Sequence, residues 1–206
     1  MTGAPRNEVV QRLPRGRHGM SRAEVVEAQR QRMLLAIAEA MAADGYTSTS
    51  VADVIERAGV SRETFYQQFA SKLECFLAAF DAAGELLLAG MEQQFTPDGA
   101  PLEQLEGALQ AYLETIAANP MFARLFLVES VAAGPRAIAR RAEVQRRIVE
   151  SVWRTLGLRS APDRFACELV IAGVGAMVVP LLVAGDVEAI RRLRRPVLDH
   201  VRRLLR

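Results

Sequence analysis

The sequence predicts an all-α protein, in which a three-helix N-terminal domain precedes a larger helical domain. Apolar residues recur at helical spacing along the chain, without a convincing alternating strand. Serines followed three positions later by an acidic residue, and glycines beyond the last apolar position, mark successive helix ends. With 206 residues, 50% of them hydrophobic, the chain is long enough to bury two unequal cores. We predict a basic flexible arm over 1–22, a first domain over 23–71 and a second over 72–206.

The first helix is predicted from an apolar stripe between Ala23 and Asp44. Val26, Met33 and Ile37 lie on one face of it. Gly45 follows directly, where a left-handed C-terminal cap is expected.

Two short helices follow the first one. Ser50 and Asp53 form a capping-box pair that opens the second helix, and Gly59 ends it. Ser61 caps a third helix after a gap of about three residues, and the apolar Val60 precedes this cap. Helices joined by so tight a turn cross steeply, which is the helix-turn-helix arrangement.

The second domain is predicted as a series of longer helices. Ser71 and Glu74 form a further capping box, which opens a helix from Lys72 to about Met91. The later segments are a helix over 102–118, an apolar stretch from Pro120 to near Ala133, helices over 134–157 and 163–184, and an amphipathic segment over 186–206 that Pro196 kinks.

Charge is concentrated at the two ends of the chain, although the formal net charge is only +2. Residues 1–22 hold five arginines against the single acid Glu8, and residues 186–206 hold seven arginines against three acids. The two cysteines, Cys75 and Cys167, lie far apart without metal-ligand spacing, so we expect no disulfide and no metal site, and a reducing cytoplasm. No Ser-His-Asp grouping or P-loop occurs, so an enzyme and a bound cofactor are not expected.

The apolar stretch from Leu169 to Gly185 has two interpretations. It is uncharged but slightly shorter than the roughly 20 residues that span a bilayer. Glu168 at its edge and Pro180 within it favour a helix buried on every side, and thus no membrane. The alternative is a membrane-associated helical protein that uses the 165–184 helix and the basic termini.

Four segments of the first domain carry a family signature. They are Gly45-Tyr46, Thr49 to Ile55 (TSVADVI), Ala58 to Tyr66 (AGVSRETFY) and Phe69 to Lys72 (FASK). Over about residues 28 to 76 the chain resembles the DNA-binding domain of the TetR (tetracycline-repressor-like) family. The resemblance implies a homodimer that binds a palindromic operator in double-stranded DNA, represses transcription, and dissociates when an unidentified small molecule occupies the C-terminal domain.

The third helix has an outer face suited to a DNA major groove. Phe65 and Phe69 are one turn apart and face the core. The outward residues are Arg62, Glu63, Thr64, Tyr66, Gln67 and Gln68. Arginine pairs with guanine, glutamine pairs with adenine, and the threonine methyl contacts thymine. Glu63 repels phosphate, and we expect it to complement the helix dipole or to accept from a cytosine amine.

Backbone contacts are predicted beside these base contacts. Tyr66, Lys72 and the N-terminus of the second helix near Ser50 are candidates for phosphate. By resemblance, six positions usually meet DNA: Arg62, Glu63, Thr64, Tyr66, Gln68 and Lys72. In the arm, Arg15 and Arg17 are separated by glycine and suit a narrow minor groove, the alternative being a solubilising tail.

The candidate ligand-binding residues are aromatic side chains and acids of the second domain. They are Phe95, Tyr112, Phe122, Phe126, Glu129, Trp153 and Glu168. Each aromatic residue is equally compatible with an ordinary core position. Glu129 and Glu168 adjoin apolar runs and are predicted to face inward, where a buried acid needs a partner. That partner is a cationic ligand or an intramolecular arginine such as Arg124 or Arg164.

The helix over 163–184 is the predicted dimer contact. A helix that is apolar all round must be covered on every face, and one chain of this size can cover it only in part. Ala172, Gly173 and Ala176 form a small-residue patch, which Leu169 and Met177 flank.

Overall fold

The computed structural model describes residues 21–96 and 98–204, and the regular structure in those ranges is entirely helical. The helices are α1 (Arg22–Ser48), α2 (Val51–Ala58), α3 (Arg62–Gln68), α4 (Lys72–Glu92), α5 (Pro101–Ala118), α6 (Pro120–Arg124), α7 (Pro135–Thr155), α8 (Ala161–Ala184), α9 (Val187–Arg192) and α10 (Arg194–Leu204). A π-helical segment, Leu125–Glu129, continues α6. The all-α prediction, with a helix-turn-helix domain before a larger helical domain, is confirmed.

The helix ends in the first domain follow the predicted caps. Ser50 Oγ accepts from the Asp53 backbone N–H at 3.3 Å, and the Asp53 carboxylate accepts from the Ser50 N–H at 2.7 Å. Gly59 ends α2 with φ +60°, a left-handed conformation that glycine adopts without cost. Ser61 Oγ then accepts from the Thr64 N–H at 3.0 Å and starts α3. Local sequence therefore determines the helix-turn-helix.

A kink at Gly45 interrupts α1. Its φ of +76° agrees with the predicted positive-φ position, but its ψ of 166° is extended, so one more turn follows through Ser48. This combination of angles is essentially restricted to glycine. The kink turns the chain towards α2 and exposes the Tyr46 N–H to the second domain.

The predicted capping box at the start of α4 is only half formed. Ser71 Oγ accepts from the Glu74 N–H at 3.2 Å, as expected. The Glu74 carboxylate pairs with Arg136 of α7 at 2.6 Å instead of returning to the backbone of Ser71. The first turn of α4 is therefore bound to α7, and the rest of α4 packs against α1, α5 and α7.

The helix α8 is not buried on every side, which corrects the sequence-based expectation. Cys167, Val174 and Val178 are buried, but an opposite face is solvent-exposed in the single chain. The large apolar residues on that face are Phe165 (66% exposed), Leu169 (62%), Met177 (43%) and Val183 (51%). Beyond α8, the predicted kink falls at Leu193, three residues before Pro196, because Pro196 has no N–H to donate to the Arg192 carbonyl.

Candidate DNA-binding face and ligand cavity

The helix α3 separates an aromatic inner face from a polar outer face. Phe65 and Phe69 are 0% and 4% exposed, with ring centroids 5.7 Å apart. On the outer face Tyr66 is 45% exposed, and the Arg62 guanidinium carbon lies 5.6 Å from its ring centroid. Glu63 and Gln67 are also exposed. Four of the six predicted outward residues, Arg62, Glu63, Tyr66 and Gln67, are therefore exposed, whereas Thr64 and Gln68 are half-buried.

Several polar groups of the outer face already have intramolecular partners. The Gln67 amide donates to the Glu63 carboxylate at 3.2 Å, and the hydroxyls of Thr64 and Ser61 lie 2.9 Å apart. The Gln68 amide donates to the backbone carbonyl of Val26 in α1 at 3.2 Å. Gln68 thus ties α3 to α1, whereas the side chains of Arg62 and Tyr66 form no hydrogen bond with another described residue.

Lys72 is engaged within the protein, a role that sequence reasoning missed. Its Nζ donates to the carbonyls of Tyr46 at 2.8 Å and Thr49 at 2.7 Å, and it lies 4.2 Å from the Tyr46 ring centroid. Desolvation by burial lowers the pKa of Lys72. Two of its three N–H groups therefore hold the start of α4 against the α1–α2 connection, and a phosphate could take only the third.

The N-terminus of α2 is also partly occupied. The Asp53 carboxylate binds the Ser50 N–H, and this backbone hydrogen bond is the largest cause that lowers the pKa of Asp53. A phosphate predicted near Ser50 would therefore approach a carboxylate. The other two predicted DNA contacts, Arg15 and Arg17, lie outside the described residues.

The second domain contains a partly open cavity of about 290 Å³. Its mostly aliphatic lining comes from α4, α5, the π-helical segment, α7, the α7–α8 connection, α8 and α10. Leu109, Ile148, Val170 and Val201 are typical members. A cavity of this size falls at the lower end of small-molecule sites, which are largely apolar with a few polar groups.

Of the seven predicted ligand-binding residues, Tyr112 and Phe126 line this cavity, and the other five do not. Phe95 and Phe122 pack against the core elsewhere. The Arg164 guanidinium lies over the Trp153 ring, 5.0 Å from its centroid. Aromatic residues occur throughout helical cores, so the sequence alone did not show which of them line the cavity and which pack in the core.

The two acids have intramolecular arginine partners, as one of the two interpretations held. Glu129 is buried and lies 3.8 Å from Arg124 Nε, and its other carboxylate oxygen accepts from the Tyr46 N–H at 2.8 Å. Glu168 is exposed and pairs with Arg164 at 3.4 Å. The prediction that Glu168 faces inward is therefore wrong, because its helix turns the opposite face to the core.

Sequence reasoning also missed the polar residues of the cavity that come from α7. Arg141 and Gln145 both line it, and Arg141 Nη1 donates to the Leu127 carbonyl at 2.9 Å. Spacing within α7 places these two residues on one face, but α7 contains six arginines and nothing local singles out Arg141.

The predicted dimer residues lie on or beside the exposed face of α8. Leu169, Ala172, Ala176 and Met177 are exposed, and Gly173 is half-buried. Ala172 and Ala176 also border the cavity. Within the described part of the chain, α8 is the helix whose length and composition would allow it to cross a membrane.

Comparison with known proteins agrees with this architecture. A family model described as bacterial regulatory proteins of the tetR family matches residues 34–79, from the middle of α1 into α4. The transcriptional activator FasR of Mycolicibacterium smegmatis is 24% identical over 74% of this chain and 70% of its own length. The transcriptional regulator RutR of Escherichia coli is 28% identical over 55% of this chain, which is about half of RutR (53%).

A solved structure extends the likeness to the second domain. The crystal structure of the regulator FadR from Bacillus subtilis, in complex with stearoyl-CoA, superposes with a TM-score of 0.66 at 18% identity, over 82% of this chain and 95% of that one. A helix-turn-helix domain followed by a larger helical domain is the architecture of a class of transcriptional regulators. The N-terminal domain belongs to the tetR family of bacterial regulatory proteins, and the chain as a whole has the fold of TetR-like regulators.

Proposed function

We propose that the protein is a cytoplasmic, homodimeric repressor that binds a palindromic operator and releases it when a small molecule fills the cavity. The observation that carries this proposal is the two-sided helix α3. Phe65 is fully buried, whereas Arg62 and Tyr66 are exposed and form no hydrogen bond with any described residue, so both can meet base edges and phosphates.

Dimerisation is supported by the exposed apolar face of α8. Phe165, Leu169 and Val183 are each more than half exposed, which is unusual for a lone soluble chain and typical of a contact surface. A dimer also places two short recognition helices on half-sites about 34 to 36 Å apart. We expect Ala176→Arg to yield a monomer with weak operator binding, whereas Ala118→Arg, at an exposed position of α5, leaves the dimer intact. Sedimentation velocity distinguishes the two.

A membrane surface is the other partner that the exposed face of α8 suits. Co-sedimentation of the full chain with anionic phosphatidylglycerol vesicles tests it. Binding to vesicles that Ala176→Arg abolishes would favour the membrane-associated function. A dimer that stays in the supernatant supports the regulator.

Two contacts support coupling between cavity and DNA. Phe126 and Leu127 line the cavity within the π-helical segment, and the same segment ends at Glu129, which accepts from the Tyr46 N–H at the α1 kink. The second contact is α4, whose Lys72 holds the Tyr46 carbonyl. A ligand that displaces the segment therefore acts on the connection between α1 and α2. Linkage requires that it then change operator affinity.

The test begins with selection of genomic DNA fragments by the purified protein. Arg62→Ala with Tyr66→Ala should weaken binding to the selected fragment at least tenfold, since a guanine contact contributes about 1 to 3 kcal/mol. Arg154→Ala, an exposed change on α7, serves as the matched control. Unchanged affinity in the double variant contradicts the assignment of α3.

Transcription from the selected fragment then gives the direction of regulation. Lower transcript yield with protein present supports repression. FasR is named as an activator, so a higher yield would assign this protein the opposite effect on the same DNA.

A further inference from the structure

The helix α7 carries six arginines, and five of them pair with carboxylates. The pairs are Arg136 with Glu74, Arg140 with Asp81, Arg146 with Glu143, Arg147 with Glu85, and Arg154 with Glu150. The sixth, Arg141, has no carboxylate within ion-pair distance among the described residues. It is the one that lines the cavity.

The surroundings of Arg141 are poor in compensating charge. One of its N–H groups donates to the Leu127 carbonyl at 2.9 Å, and four N–H groups remain. The acid that borders the cavity, Asp163, is engaged at the start of α8, where its carboxylate accepts from the Ser160 N–H at 3.3 Å. A half-buried guanidinium beside an apolar cavity, without a counter-ion, is costly unless an anion joins it.

A second donor borders the same cavity. No described residue forms a hydrogen bond with the hydroxyl of Tyr112, and Tyr112 lines the cavity from α5. Burial raises the pKa of Tyr112 to about 12, so the phenol keeps its proton at neutral pH. Gln145, one turn along α7 from Arg141, adds an amide to this side of the cavity.

We infer that the cavity binds an amphipathic anion, whose apolar chain lies along the aliphatic lining and whose carboxylate or phosphate accepts from Arg141 and Tyr112. This inference rests on the ligand cavity of the proposed function and names its ligand class. A volume of about 290 Å³ lies at the lower end of small-molecule sites, which fits a medium-length apolar chain better than a long one. The chemistry fits either a free medium-chain fatty acid or the corresponding acyl thioester, whose head group carries phosphates.

The test is calorimetric titration of the full chain with decanoate, 1-decanol and decanoyl-CoA. Decanoate should bind at least tenfold more tightly than 1-decanol, because hydrogen bonds to a charged partner contribute about that much. Arg141→Gln should abolish this preference and leave the affinity for 1-decanol unchanged. Arg140→Gln, the neighbouring residue that pairs with Asp81 on the outside, is the matched control and should retain the preference.

Tyr112→Phe is the second variant, and it guards against misfolding of Arg141→Gln. It should weaken decanoate binding severalfold without affecting 1-decanol, and thermal unfolding in the presence of each compound gives an independent reading of affinity. Decanoyl-CoA binding that depends on Arg141, without a preference for decanoate over 1-decanol, assigns the anion to the thioester head group. An Arg141-dependent preference for decanoate over both 1-decanol and decanoyl-CoA assigns it to the free acid.

Equal affinity for decanoate and 1-decanol, together with decanoyl-CoA binding that Arg141→Gln does not weaken, would overturn the inference and leave the proposed regulator intact. So would a preference for decanoate that survives Arg141→Gln. Failure of all three compounds to bind, with operator binding retained, would count against the ligand cavity of the proposed function itself.

Discussion

The two domains use helices differently. In α3, apolar and polar side chains are segregated, so Phe65 is buried while Tyr66 beside it is 45% exposed. In α8, apolar side chains occupy both the buried and the exposed faces, as Val178 at 0% and Leu169 at 62% exposure show. The first pattern leaves a polar surface for a charged polymer. The second pattern leaves apolar surface uncovered, both along the cavity and on the exposed face of α8.

This difference explains why the two domains suit different partners. A polar face with free donors binds phosphates and base edges, whose affinity comes from charge and hydrogen bonds. An unfilled apolar surface gains free energy when it is removed from water, by a ligand or by a second chain. Substitutions on the outer face of α3 should therefore change operator binding and leave dimerisation and, without DNA, ligand affinity unaffected.

The largest effect is expected from Phe65→Ala in α3. Removing a fully buried phenylalanine should lower the free energy of unfolding by about 3 to 5 kcal/mol. Tyr66→Ala, the adjacent exposed change, should shift it by less than about 0.5 kcal/mol and still weaken operator binding. Denaturant unfolding and operator titration separate the two. Equal destabilisation by both variants would contradict the two-sided character of α3.

Gly45→Ala tests the kink within α1. At φ +76° and ψ 166° alanine is strained, so we expect a loss of about 1 to 3 kcal/mol in unfolding free energy. The control is Gly175→Ala within α8, where a Cβ meets nothing within 4 Å and where alanine should stabilise the helix by about 0.5 to 1 kcal/mol. Thermal denaturation measures both. A neutral Gly45→Ala would show that the kink is dispensable.

The acids Glu129 and Glu168 provide a smaller, matched comparison. Glu129→Gln replaces a charge-assisted bond to the Tyr46 N–H by a neutral one, which should cost about 1 kcal/mol. Glu168→Gln removes an exposed pair with Arg164 and should cost no more than about 0.5 kcal/mol. In addition, Glu129→Gln should reduce the effect of ligand on operator affinity. If ligand changed operator affinity equally in the two variants, Glu129 would have no part in the coupling.

The smallest effect is expected from Lys72→Met on the salt dependence of operator binding. A lysine that neutralises one phosphate contributes about 0.9 to the slope of log affinity against log salt concentration. Because Lys72 already donates to two carbonyls, we expect the slope to stay constant while the protein becomes less stable. A slope reduced by nearly one unit would show that Lys72 contacts a phosphate, as the sequence suggested.

Local sequence determined the helix boundaries and the helix-turn-helix. Ser50, Asp53, Gly59 and Ser61 act through hydrogen bonds and backbone angles within three or four residues, so their effect is readable along the chain. The helical period likewise placed Phe65 inward. The family signature covers the same residues, because a DNA-binding face is built from one short contiguous segment.

Tertiary structure alone decided which residues of the second domain form the cavity and the contacts between domains. Arg141 and Arg140 are adjacent and chemically identical, yet one borders the cavity and the other pairs with Asp81 on the outside, since the packing of α7 sets its rotation. Glu129 binds the Tyr46 N–H across 83 positions of sequence. Lys72 bonds to two carbonyls that no local pattern marks. Such contacts depend on how separate helices pack, and helical periodicity fixes only which residues share a face, not what that face meets.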